Sequence, residues 1–315
     1  MSAVNSLYCS PTHFKLVVGS ADKDTIKVEN FLEVALPPNA TINGIVTDAT
    51  TMTDFFDSVA KQWGIAAGKV MNNPLLKQPS QLVVHTNSIQ TKILEVPPVS
   101  DEQVRIFIKR EFDQYAEGET DDLYDYTILN PSLPSGGIEI LATSVGRSLL
   151  APYVTALTGA GYNLKGINIG VNCHIKLVRF LPELTGQSFV LVHADGKDQT
   201  ITLFIGGFYR FSNRYRLMNN PNTPEWLAEI VNNLSSMLQS TRAQRKQAAV
   251  AYAYVAGMAD AQIAQMMTAS QQLGVQIVKL DLREAVRAPR PFEGAAPFEP
   301  GSYLFNLGNL VKVHG

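Results

Sequence analysis

Apolar positions near the start of the chain follow a strand register. Residues 14–18 (FKLVV) form a short apolar run and residues 26–34 (IKVENFLEV) alternate, with Asp22, Lys23 and Asp24 as the turn between them. This predicts an antiparallel hairpin or meander. A turn at ALPPNATING follows, and then the period changes. Phe55, Val59 and Trp63 recur at four-residue spacing before Gly64, which predicts a helix over residues 54–63. Residues 71–80 (MNNPLLKQPS) are rich in Pro and Asn and mark a boundary.

Beyond that boundary the pattern restarts. QLVVHT and TKILEV read as strands, and Ser100 with Gln103 gives a capping-box start to a helix whose apolar face is Val104, Ile108, Phe112 and Tyr115. YDYTIL and GIEILATSV are two further strands. A helix over residues 148–158 turns Leu150, Val154 and Leu157 inward, Gly159 and Gly161 end it, and KGINIGV is a closing strand. The expectation is a small α+β domain at residues 80–169 inserted into a larger fold. Residues 1–79 and 170–185 then form a first half and residues 186–315 a second. The second half repeats the opening: three strands in SFVLVHADGKDQTITLFIGGFYRFSNRYRL, then a long helix begun by Thr223 and Pro224 and lined by Trp226, Ile230, Leu234 and Leu238. AVAYAYVAGM reads as a buried strand, DAQIAQMMTASQQLG as a helix with Met266 and Met267 in its core, and VQIVKLD as a strand. A Pro-rich stretch over residues 289–300 leads to a last helix or strand, SYLFNLGNLVKV. The repetition predicts a duplicated α/β architecture with a cleft between halves.

Composition narrows the function classes. The 315 residues are 45% hydrophobic and 17% charged, with a formal net charge of −2. There is apolar material for a core and no electrostatic support for nucleic-acid binding. Two cysteines, Cys9 and Cys173, stand in no metal-ligand spacing, which fits a reducing compartment. No run of about 18 apolar residues occurs, and the first residues lack the basic-then-apolar order of a signal peptide. A cytoplasmic location is expected, without direct membrane insertion.

This layout resembles the actin-like ATPase superfamily, and within it the PilM family of type IV pilus assembly proteins. The motifs LEVPPVSDEQ, REFDQYAEGE, YDYTIL and EILATSVGRSLLAPYVTALTGAGYNLKGINI are similar to the small inserted domain that PilM shares with the cell-division protein FtsA. ALPPNATINGIVTD is similar to the family's "PLPEGAVKDGEIVD". The resemblance implies an actin-like fold, with duplicated ribonuclease-H-like halves and an inserted small α+β domain. It implies an adaptor on the inner face of the plasma membrane that holds the cytoplasmic tail of a PilN-like membrane protein. That tail would lie extended in a groove between the first half and the insertion. Other pilus platform proteins and the assembly motor are further expected partners.

The resemblance also places a nucleotide pocket, and there this chain departs from the family. The first phosphate loop, "DIGSSSIK" in the family, is YCSPTHFK here: Tyr8 stands for the aspartate, Ser10 for the glycine, and Pro11 removes an amide donor, leaving Thr12 and Lys15. The second, "VDIGASTTTL", is VHADGKDQTI, with His193 for the aspartate, Asp195 for the glycine, and Gly196, Lys197 and Thr200 as polar remnants. The adenosine motif "SGGGA" is YVAGMA, keeping Gly257 and adding Met258. A wall subdomain is reduced to MNNPNTP. The expectation is a degenerate pocket at Ser10, Thr12, Lys15, Asp195, Gly196, Lys197, Thr200 and Gly257, with no cofactor and no catalysis. The competing expectation is a functional actin-like ATPase that uses ATP and Mg²⁺ to regulate assembly.

Other chemistry-bearing residues read as structural. His13 and His193 have no nucleophile or orienting carboxylate beside them. Cys9 lacks a strand–turn–helix nucleophile elbow and reads as a buried strand residue. The acidic group Asp113, Glu117, Glu119, Asp121, Asp122 and Asp125 lacks calcium-loop spacing and reads as a solvated edge. Residues 210–216 (RFSNRYR) read as a strand with a solvated basic face.

Overall fold

The computed structural model describes residues 2–66, 73–114, 121–243, 250–289 and 297–312. Residues 71–72 of the Asn/Pro boundary, Tyr115, Glu117 and Glu119, and most of the Pro-rich stretch lie outside them. Strands β1 (Val4–Cys9), β2 (His13–Ala21) and β3 (Ile26–Ala35) form an antiparallel meander. β2 reads as a continuous apolar run because both of its faces are covered. The short pair β4 (Thr41–Ile42) and β5 (Ile45–Val46) leads to α1 (Ala49–Ala66), whose first free amides, on Thr50 and Thr51, are accepted by the Asp48 carboxylate. The helix is longer than residues 54–63, and its inward stripe is Met52, Phe56, Val59 and Ala60, with Phe55 and Trp63 half-buried at its margin. α2 (Pro74–Lys77) and β6 (Pro79–Val84) follow.

Next come β7 (Gln90–Val96), α3 (Asp101–Asp113), β8 (Asp122–Asn130) and β9 (Ile138–Gly146). They make a three-stranded antiparallel sheet, order β7-β9-β8, under one helix, with the Ser100–Gln103 capping box in place and Val104, Ile108 and Phe112 buried. α4 (Arg147–Gly159), β10 (Asn163–Ile169) and α5 (Gly170–Phe180) return the chain to the core. The insertion is therefore narrower than residues 80–169. β6 pairs parallel with β1, and β10 pairs parallel with β6, so both belong to the core sheet. Parallel neighbours need a long crossover, and the β7–β9 unit rides within it. α4 presents Leu149, Tyr153, Ala156 and Leu157 to the core cluster shared with α1: Leu157 stands inward as expected, while Leu149 and Tyr153 take the places expected of Leu150 and Val154.

The second half is β11 (Phe189–Asp195), β12 (Asp198–Ile205), β13 (Phe208–Arg216), α6 (Pro224–Ala243), β14 (Tyr252–Ala256), α7 (Asp260–Ala269) and β15 (Gln276–Lys279). Its strand order, β13-β12-β11-β14-β15, repeats β3-β2-β1-β6-β10 of the first sheet: an antiparallel meander, then two parallel strands. Met266 is buried in α7, whereas Met267 is exposed.

β16 (Val286–Arg287) then pairs with β3, and α8 (Leu304–Leu310) is buried on every side. Gly308 is required where α8 crosses α5, because a Cβ there would lie 2.1 Å from the Cys173 carbonyl oxygen. Among the described residues no helix is long and apolar enough to cross a membrane.

Candidate functional site

The β1–β2 and β11–β12 hairpins point their tips at each other across the seam. A Cβ on Gly196 would lie 3.6 Å from Thr12 Oγ1. At the first tip the turn is closed by its own side chain: Ser10 Oγ accepts from Thr12 N at 3.3 Å and His13 N at 2.9 Å. Thr12 Oγ1 meets His13 Nδ1 at 2.9 Å. Behind the tips, Lys15 of β2 reaches Asp195 of β11 at 2.6 Å, with both side chains almost fully buried. Lys15 also donates to the Ser302 carbonyl at 2.9 Å. Burial opposes its charge, but Asp195 and then Glu33 outweigh that and raise its pKa. Burial likewise opposes the Asp195 carboxylate, and Lys15 and His193 hold its pKa below the usual value. Tyr8 lies beside this carboxylate, and burial, then Asp195, push its hydroxyl well above its ordinary pKa.

The other expected pocket residues are distributed around this pair. Gly257 ends β14 at φ +78°, and a Cβ there would lie 1.8 Å from the Ala194 carbonyl oxygen, so only glycine fits. Gly196 turns at φ +62° and accepts the Trp226 indole N–H at 2.9 Å. Lys197 acts instead on Glu229 of α6: burial opposes that carboxylate, and the Met218 and Asn219 amides, the Asn219 side chain and last the Lys197 charge lower its pKa. Thr200 meets His85 Nε2 at 2.8 Å. Ser10, Thr12, Lys15, Asp195, Gly196 and Gly257 thus come together, and Lys197 does not.

A nucleotide bound to Mg²⁺, which the fold family implies, needs free loop amides and a carboxylate available to a cation. Here Ser10 Oγ holds the Thr12 and His13 amides of the first loop, and Lys15 occupies Asp195 Oδ1 while Asp195 Oδ2 is buried without a partner among the described residues. Among the described residues no three His, Cys, Asp or Glu side chains are placed to hold a metal ion.

Sequence reasoning missed two components of this centre. Phe305 of α8 is ringed by His85, His174 and His193, each with its ring centroid 4.7 Å from the phenyl centroid. His174 Nε2 and His193 Nδ1 are 3.2 Å apart, and His174 Nδ1 meets Thr202 Oγ1 at 3.1 Å. Burial dominates all three: it lowers His85 to about 3, His193 to about 4, and His174 well below its ordinary value. They are neutral, and His193 Nε2 is buried without a partner among the described residues. The second component is β13. Its expected solvated basic face is instead engaged: Arg214 is buried against Asp198, and Arg210 bonds Glu139 of the insertion at 2.9 Å. Neither feature has a local signal, since residues 85, 174, 193 and 305 meet only through the fold.

A groove of about 370 Å³ runs between β8 and β10. Both strands are outermost in their sheets, so each presents an unpaired backbone edge. Leu123, Tyr124 and Tyr126 line one side, Ile167 and Ile169 the other, and Leu150 the floor. Arg105 and Asp125, 3.1 Å apart, mark the rim. The insertion is tied beside the groove by Thr127 Oγ1 donating to Asn172 Oδ1 at 2.9 Å and by Arg179 donating to the Leu129 carbonyl at 2.6 Å.

Among solved structures, the chain is similar to a PilM–PilN type IV pilus biogenesis complex, with a TM-score of 0.75, 14% identity, and 98% of this chain and 99% of that one covered. It is also similar to a Bacteroides thetaiotaomicron protein with an actin-like ATPase fold and unknown function, with a TM-score of 0.54, 10% identity, and 91% and 93% covered. The fold is that of the actin-like ATPases. This actin-like arrangement is shared by the cytoplasmic domain of EpsL, an inner-membrane component of the Vibrio cholerae type II secretion system, with a TM-score of 0.52, 11% identity, and 99% and 96% covered. No protein-family model and no curated protein matches the sequence.

Proposed function

We propose that this chain is a divergent PilM-like adaptor that holds the extended cytoplasmic tail of a PilN-like inner-membrane protein, in a type IV pilus or related assembly. The observation that carries the reading is the groove between the two open strand edges of β8 and β10. An extended peptide satisfies such edges with its own backbone and places alternate side chains into the apolar lining. Adaptor function needs this rigid edge pair and no catalytic group. The closed hairpin tips support the second part of the proposal: the nucleotide site is degenerate, and the groove is set by packing rather than by ATP. The cytoplasmic location, and association with the membrane through the partner, belong to the same proposal.

A synthetic peptide of the partner's cytoplasmic tail is the direct test. The expected result is micromolar binding without nucleotide, roughly −8 kcal/mol. The half-exposed Leu123 can be changed to Asp without disturbing the core, and this variant is expected to bind at least tenfold more weakly. Binding that appears only with ATP and Mg²⁺ favours the regulated-ATPase reading instead. Binding indifferent to Leu123→Asp removes the peptide from this groove.

A further inference from the structure

A second cavity, of about 380 Å³, lies at the end of the β1–β2 hairpin opposite Ser10. Its polar lining is Ser2, Ser20, Gln81, Lys176, Asn309 and Lys312: among the described residues, two lysines and no carboxylate. Lys176 is the unusual member. It sits on α5 within a fully buried run, residues 173–178, and is only 8% exposed. Its ammonium donates to the Asn309 carbonyl oxygen at 3.2 Å. That carbonyl is in the last turn of α8, where the negative end of the helix favours a cation.

One hydrogen bond leaves two of the three ammonium N–H groups to be satisfied from the cavity, and among the described residues Lys176 forms no ion pair. The other buried lysine among the described residues makes the contrast. Lys15 is matched by Asp195 at 2.6 Å, as a buried charge ordinarily is. Burial also lowers the Lys176 pKa, so the surroundings as they stand disfavour its charge.

We propose that this cavity binds a phosphate-bearing small molecule, with Lys176 as the buried charge, Lys312 at the mouth, and Ser20 and Gln81 as neutral donors. The site is separate from the peptide groove and from the hairpin tips. Its volume lies in the range of small-molecule sites, about 300–1,000 Å³. Donors from β2, β6, α5 and the segment after α8 line the cavity as single points, which suits a tetrahedral oxyanion. A planar carboxylate is better matched by the two-pronged guanidinium of arginine, which this lining does not contain.

The test is calorimetry and thermal unfolding of the whole chain with inorganic phosphate and with a hexose phosphate, at constant ionic strength. A single saturable site is expected, with a rise in Tm that potassium chloride or acetate does not reproduce. Lys176→Met should weaken binding at least tenfold. Lys312→Gln, at an exposed position, should weaken it several-fold with the fold intact. Absence of saturable binding, an equal response to acetate, or affinity unchanged in Lys312→Gln and in a folded Lys176→Met would overturn the proposal. Vesicles containing phosphatidic acid separate the two sources of phosphate. Vesicle binding that hexose phosphate cannot displace assigns the surface to lipid and also overturns it.

Discussion

Lowering the pH should open the seam between the two halves through the histidines around Phe305. In the unfolded chain a histidine titrates near about 6.5. In the folded chain burial holds His85 down to about 3 and His193 to about 4, with His174 also well below its ordinary value. Between those limits unfolding takes up protons, so stability is full above the unfolded value and is lost as pH falls. His85 and His193 each withdraw roughly 2 kcal/mol between about pH 7 and pH 5, and His174 adds to the loss in the same direction. A domain of ordinary stability has only about 5–15 kcal/mol to lose. Asp195, whose folded pKa is depressed, adds to the loss only as pH falls below the ordinary carboxylate value. Urea unfolding across this range should show midpoints falling steeply with pH, at a slope near three protons. His193→Gln should reduce the slope by about one. A midpoint independent of pH in this window, or a proton resonance of His85, His174 or His193 titrating near about 6.5 in the folded protein, would refute the reasoning.

Two further outcomes follow from the buried contacts. Lys15→Met leaves Asp195 buried without its partner and should cost about 3–5 kcal/mol in urea unfolding; adding Asp195→Leu should recover most of it, and a single-variant cost under about 1 kcal/mol would mean that the pair does not hold the seam. Phe112→Asp replaces the ring that packs with Val104, Ile108 and Ile140 by a short carboxylate, which empties this core even with the Lys92 ammonium, 5.0 Å from the ring centroid, as a neighbour. Hydrogen exchange should then show the β7–β9 unit unprotected with the two halves still protected, and peptide binding should be lost; a protected insertion would count against its dependence on this core.

The elements legible in the sequence were those with a local signature. The capping box at Ser100 and Gln103, the Thr223–Pro224 helix start, the two strands at residues 14–18 and 26–34 and the three strands that open the second half stand where periodicity and caps placed them, whereas β1 had no such signal. The boundary of the insertion was not legible. QLVV and GINI are apolar runs that suit either a small sheet or a parallel strand of the core, and only the pairing of β6 with β1 and of β10 with β6 decides between them. The helix faces of α1 and α4 were displaced because a large aromatic, Phe56 or Tyr153, takes the core position beside the expected residue. The hairpin-tip residues were found through motif positions. That Lys15 would hold Asp195, and that Arg214 would turn inward to Asp198, could not be read, since each is a contact between distant segments.

The buried α8 has a consequence for how the chain is made. Asn306 donates to the carbonyl oxygens of Ser6 and Lys15, and the first of these lies 300 residues away in the sequence. At synthesis rates of roughly 5–20 residues per second, about 15–60 s separates the emergence of the two partners from the ribosome. Throughout that interval the inner face of β1 and β2 lacks its cover, and the seam has no Phe305 around which the histidines can gather. Folding of the first half is therefore provisional until α8 arrives, and an apolar sheet surface stays uncovered for the whole of that delay.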